Sequence, residues 1–137
     1  RAARDEPPPI PDWLLWDGLG EPRPDGFRLV APAGELTRLV CREPGPATLE
    51  LTPLPFGAPE ILVFAAGAVV RIDAEGNARV VREGSPAGEP WRVEVPVRVE
   101  LADGSLRVGG VVVGRAPGRL AVAVAGGGVD VAVRDAS

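Results

Sequence analysis

Asp73, Glu75 and Asn77 stand at alternate positions beside a glycine in "RIDAEGNAR", residues 71–79, the best oxygen-ligand cluster in this chain of 137 residues. Calcium loops place oxygen ligands at alternate positions in this way. The twelve-residue calcium pattern with its terminal Glu is not completed, and a turn between two strands calls for these same residue types. A tight turn is the first expectation for this segment, and a weak calcium or polar-ligand site the second. Asp103 in "ADGS" is a lesser candidate of the same kind. No other cofactor is implied.

Other chemistries are limited by what the chain lacks. It has no His, which removes Ser-His and Cys-His catalysis and imidazole metal sites. Its single cysteine, Cys41, can make neither an internal disulfide nor a zinc cluster, and in "ELTRLVC" it reads as a small buried thiol on a strand. Glycoside hydrolysis needs two carboxylates roughly 5–9.5 Å apart. Glu94 and Glu100 share a strand face, but at about 3.3 Å per residue they lie roughly 20 Å apart. A hydrolase would need a pair drawn from different strands, such as Asp73 with Glu50. The chain is therefore read as noncatalytic.

The elements that must position these residues are strands. Apolar alternation and turn signals predict them at 27–31, 35–41, 47–52, 60–66, 68–73, 78–83, 91–102, 105–108, 111–114, 119–125 and 129–134, with no helix of ten or more residues. In "WRVEVPVRVELADGSLRVGG" the residues Val93, Val95, Val97, Val99 and Leu101 face one side, and Arg92, Glu94, Pro96, Arg98 and Glu100 face the other. The Arg and Glu ladder reads as the wet face of a half-buried strand, with Pro96 marking a bulge or a free edge and Asp103-Gly104 a hairpin turn. Gly126-Gly127-Gly128 reads as a second hairpin, joining Leu120, Val122 and Val124 to Val129, Val131 and Val133. Alanines 121, 123 and 125 make the other face of that strand apolar too, so it belongs inside a sheet or beneath a cover such as another subunit.

Composition sets the outer bounds. Eighteen Gly and sixteen Pro punctuate the strands. The net charge of −4 is concentrated in residues 1–26, which hold three Arg and six acidic residues, and the remainder is close to neutral. Without a basic excess, nucleic acid is not an expected partner, and without a long apolar run nothing here inserts into a membrane. Residues 1–26 read as a proline-rich acidic arm and residues 27–137 as a β-sandwich domain. "DWLLWDG" in the arm reads as one helical turn or an edge strand, and Ile10, Trp13, Leu14, Leu15 and Trp16 are candidate partner-binding anchors. The start at Arg1 suggests a processed product with a signal peptide or anchor upstream.

The hairpin "GAVVRIDAEGNARVV", the later "LADGSLRVGGVVV" and the Gly- and Val-rich "GRLAVAVAGGGVDVAVRD", with "GFRLVAP" as the strand that pairs with it, resemble the concanavalin A-like jelly-roll superfamily, particularly its laminin-G-like bacterial members. The resemblance spans about residues 13–135. It implies an all-β, antiparallel two-sheet sandwich, here with an extended N-terminal arm, and a history of carbohydrate or protein binding. The Glu-x-Asp-x-x-Glu string of the superfamily's glucanases is missing, and no lectin calcium motif maps onto a residue of this chain. The expected function is a noncatalytic extracytoplasmic module, secreted or at the cell surface, that binds a glycan or protein partner. The alternative is a self-assembling, homo-oligomeric subunit of a filament, coat or appendage that uses its arm for contacts between subunits.

Overall fold

The computed structural model describes residues 13–17, 19–41, 47–65, 68–82, 85–115 and 120–135. Ile10 and the side chains of Trp13, Leu14, Leu15 and Trp16 lie outside the described residues. The elements are β1 (Trp13–Asp17), β2 (Leu19–Arg23), β3 (Gly26–Cys41), β4 (Ala47–Ala65), β5 (Ala68–Ile72), β6 (Asn77–Arg82), β7 (Ser85–Arg92), β8 (Val97–Ala102), β9 (Ser105–Val108), β10 (Val111–Arg115) and β11 (Ala121–Asp135). All pair antiparallel. "DWLLWDG", read as a helical turn or an edge strand, is edge strand β1 on β3.

Three long strands organise the rest. The C-terminal half of β3, the N-terminal half of β11 and the C-terminal half of β4 lie side by side, flanked by β1 and by β5, β6 and β7, and form the first sheet. Their other halves, flanked by β2 and by β8, β9 and β10, form the second. Alternation drives each strand's inner side into one shared core. In "ATLELT", Ala47, Leu49 and Leu51 are buried while Thr48, Glu50 and Thr52 face outward. Val63 and Val70 of the first sheet join Leu49, Val99 and Leu106 of the second in one apolar cluster. The expected all-β antiparallel sandwich is the fold observed, and "GFRLVAP" pairs with the closing strand as expected, with Phe27 opposite Val131.

The long strands also correct the expected strand boundaries. Gly126-Gly127-Gly128 is not a hairpin turn: it is a bend inside β11, and both of that strand's ladders shift register between Ala125 and Gly127. Gly126 has φ 69°, and Gly57 of β4, opposite Gly127, has φ 67°. A Cβ on Gly127 would lie 2.8 Å from Pro59 Cβ, and one on Gly128 would lie 2.6 Å from Leu54 Cδ1, so β4 crosses here too closely for side chains on β11. The inserted residue also changes parity. Leu120, Val122 and Val124 point inward before the bend, and Val129 and Val131 after it, so both halves keep their apolar side on the core.

The expected long strand 91–102 is likewise divided. Trp91 pairs with Ala78 in the first sheet and Val97 with Leu51 in the second, so residues 93–96 carry the chain from one sheet to the other. Pro96, which has no amide to donate, follows a cis Val95–Pro96 bond in this crossing. Val93, Val97, Val99 and Leu101 are buried, whereas Val95 is 59% exposed.

Candidate ligand-binding groove

The β5–β6 hairpin carries the cluster of Asp73, Glu75 and Asn77. Ile72 lies opposite Ala78, Arg71 opposite Arg79 and Val70 opposite Val80, so successive side chains alternate between core and solvent. The turn is held by its own carboxylate. Asp73 Oδ1 accepts hydrogen bonds from the amides of Glu75 (2.9 Å) and Asn77 (3.0 Å), and Asn77 Nδ2 donates to Oδ2 at 3.3 Å. The Gly76 amide donates to the Asp73 carbonyl at 3.1 Å and the Asp73 amide to the Asn77 carbonyl at 3.0 Å. The amide of Asn77, ahead of the other contacts, holds the Asp73 carboxyl below the usual carboxylate range. The turn thus uses both Asp73 oxygens, and among the described residues no three His, Cys, Asp or Glu side chains gather as a metal would need.

Beside this turn, on the outer side of the first sheet, is a groove of about 440 Å³ lined by Glu60, Arg71, Asp73, Asn77, Arg79, Val81, Pro86 and Pro90. Arg71 donates from Nε (3.2 Å) and Nη2 (2.5 Å) to Glu60 Oε2. Arg79 stands directly across the ladder from Arg71 and forms no ion pair among the described residues. Pro86 and Pro90 belong to β7, an edge strand, where a missing amide is tolerated. Trp91 Nε1 donates to the Val108 carbonyl at 3.2 Å and so ties the end of β7 to the second sheet.

The same outer face continues across the sheet in one register row: Arg38, Ala123, Leu62, Arg71 and Arg79. The Arg38 guanidinium lies 5.4 Å from the Phe64 ring centroid, two strands away, so it passes over β11 at its small alanines. Ala123 is fully buried on this side. The doubly apolar strand is therefore central in its sheet, and its shallow face is roofed by a side chain of its own chain.

The second sheet's outer face is built differently. Arg28 grips Asp130 through Nε (2.7 Å) and Nη2 (3.0 Å), Arg134 reaches Glu50 (2.8 Å) and Asp25 (3.2 Å), and Arg98 approaches Glu100 at 3.5 Å. Of the Arg and Glu ladder, Arg98 and Glu100 belong to this mosaic, while Arg92 lies on β7 of the first sheet and Glu94 in the crossing between the sheets. The exposed pairs are each worth little alone, and the bidentate, half-buried Arg28–Asp130 pair is the strongest geometry among them. A second groove, of about 290 Å³, opens among Asp25, Glu50, Asp130 and Arg134, whose charges are already paired: Arg134 with Asp25 and Glu50, and Asp130 with Arg28. Glu50 and Asp73 line different grooves and form no carboxylate pair. Asp103, with φ 53°, forms with Gly104 the two-residue turn between β8 and β9, apart from the cluster at 73–77.

The structure thus brings Asp73, Glu75 and Asn77 into one turn and leaves Asp103 on another hairpin. Glu60, Arg71, Arg79, Pro86 and Pro90 were missed by sequence reasoning. One signal was present: Arg71 and Arg79 are equidistant from the centre of "DAEGN", so the hairpin must set them opposite each other. Pro86 and Pro90 gave none, because "SPAGEPWR" has no alternation to mark it as a strand.

No protein-family profile matches this sequence, and no curated protein matches it significantly. Solved structures do. The carbohydrate binding module CBM66 from Bacillus subtilis superposes with a TM-score of 0.60 at 12% identity, covering 92% of this chain and 96% of that one. The apo Crh5 transglycosylase gives 0.55 at 13% identity over 89% of this chain and 75% of its own. The carbohydrate recognition domain of Emp46p gives 0.54 at 11% identity over 90% and 88%. At these identities the shared property is the fold, a lectin-like β-sandwich.

Proposed function

We propose that this protein is a noncatalytic, extracytoplasmic carbohydrate-binding module, and that its ligand lies in the groove on the first sheet. The observation that carries this reading is the groove's lining. Glu60, Arg71, Asp73, Asn77 and Arg79 set planar hydrogen-bonding groups along one wall, and Pro86 and Pro90 give an apolar edge, the mixture a sugar's hydroxyls and C–H faces require. Two of the three similar structures named above are carbohydrate-binding or carbohydrate-recognition domains, which supports the same reading.

The test is a panel of immobilised polysaccharides, with and without calcium, probed with the wild-type chain and with Arg71→Ala. Saturable binding to at least one glycan, weakened about tenfold or more in the variant as loss of a charged hydrogen-bonding group predicts, supports the reading. Binding unaffected by the variant moves the site elsewhere.

A second reading, self-assembly, is favoured by one feature. Edge strand β10 exposes Val111 (38%) and Val112 (58%) beside a cleft of about 330 Å³ that opens onto Val80, Ala87 and Trp91. Solution mass that rises with concentration, and that Val112→Lys suppresses, would select this reading.

A further inference from the structure

The groove contains an arrangement that a neutral sugar does not explain. Arg71 and Arg79 are directly opposed across the β5–β6 ladder, on the same outward face, and both line the groove. Like charges in this position repel and weaken the sheet. Glu60 offsets only one of them: both of Arg71's contacts go to a single oxygen, Glu60 Oε2. The Asp73 carboxylate, the other acid of the lining, accepts from its own turn through both oxygens. Arg79 therefore brings to the groove a planar fork of donors with no carboxylate on it among the described residues. Other charges set opposite each other among the described residues are arranged the opposite way. Arg28 faces Asp130, Glu50 faces Arg98 and Glu100 faces Arg107.

We propose that the groove selects an acidic saccharide, a uronate whose carboxylate is held by Arg79 against Arg71. The proposal rests on the glycan-binding reading above and adds the ligand's charge. A guanidinium fork matches a carboxylate with two parallel N–H···O bonds, and an anion between two arginines offsets their mutual repulsion. Binding of this kind weakens with added salt, whereas stacking and neutral hydrogen bonds do not.

The probes are a galacturonate oligosaccharide and the same oligosaccharide with its carboxyls reduced to alcohols. Each is titrated by calorimetry into the wild-type chain, Arg79→Gln and Arg107→Gln, the last removing an equal charge from the second sheet. The expected result is binding of the acidic probe at least about tenfold tighter than of the reduced one, lost by about tenfold in Arg79→Gln and kept in Arg107→Gln. Equal or tighter binding of the reduced probe, sensitive to Arg71→Ala, would overturn the charge assignment and leave the glycan-binding reading standing. Equal losses in Arg79→Gln and Arg107→Gln would reduce the effect to bulk charge and overturn it as well. No binding of either probe, with a hit for a neutral glycan in the polysaccharide panel, overturns the charge assignment alone, and no hit anywhere overturns both.

Discussion

Asp73 does two jobs at once: it closes the β5–β6 turn and it fixes one end of the groove. Because hydrogen bonds hold its carboxyl below the usual range, its charge stabilises the fold at pH above the unfolded value of about 3.9, and that contribution is lost as the pH falls through the lower folded value. Asp73→Asn keeps an oxygen for the two amides but has no charge to lose. The variant is expected to melt below wild type at pH 7, and the gap should narrow as pH falls below about 4. A gap independent of pH, in thermal unfolding followed by circular dichroism, would mean that the charge plays no part. "DAEGN" was legible in the sequence as a turn because a backbone reversal needs an Asp acceptor and a Gly at positive φ, and Gly76 is at 88°. The groove beside it was not legible, because it depends on which strands lie beside the hairpin, and β7 carries no periodic signal.

At the scale of elements, the bends in the long strands decide the architecture. Gly57 combines a positive φ with a virtual Cβ 2.6 Å from the Gly126 carbonyl oxygen. Gly88 has a similar φ, 76°, with nothing near its virtual Cβ. Gly57→Ala is therefore expected to destabilise the fold by more than the roughly 1–2 kcal/mol of the backbone effect alone, and Gly88→Ala by about that amount. Equal losses in chemical denaturation would show that the crossing relaxes without cost. Sequence alternation located most of the half-strands, including both halves of β3, β4 and β11, because burial on one face leaves a period of two. It read each bend as an end. Gly and Pro clusters mark turns and bulges alike, and only the neighbouring strands tell them apart: Gly127 is paired on both sides, with Ala31 and with Gly57.

For the whole molecule, the two outer faces differ in kind. The second sheet sets opposite charges against each other across its ladders, while the first collects Arg38, Arg71 and Arg79 in one row with the groove at its β7 end. The N-terminal segment matters here too, since β1 and β2 pair with opposite ends of β3, one in each sheet. Removing residues 1–26 strips an edge strand from both sheets and is expected to lower the melting temperature by several degrees, whereas removing residues 1–12 leaves those ladders in place. Equal melting temperatures for the two truncations would contradict that role. The proposed site lies on the first sheet beside the β5–β6 hairpin, and backbone amide chemical-shift mapping with a bound oligosaccharide is its sharpest test. Shifts are expected to concentrate at Glu60, Arg71, Asp73 to Arg79 and the β7 edge. Shifts confined to β10, or to the paired charges of the second sheet, would contradict it.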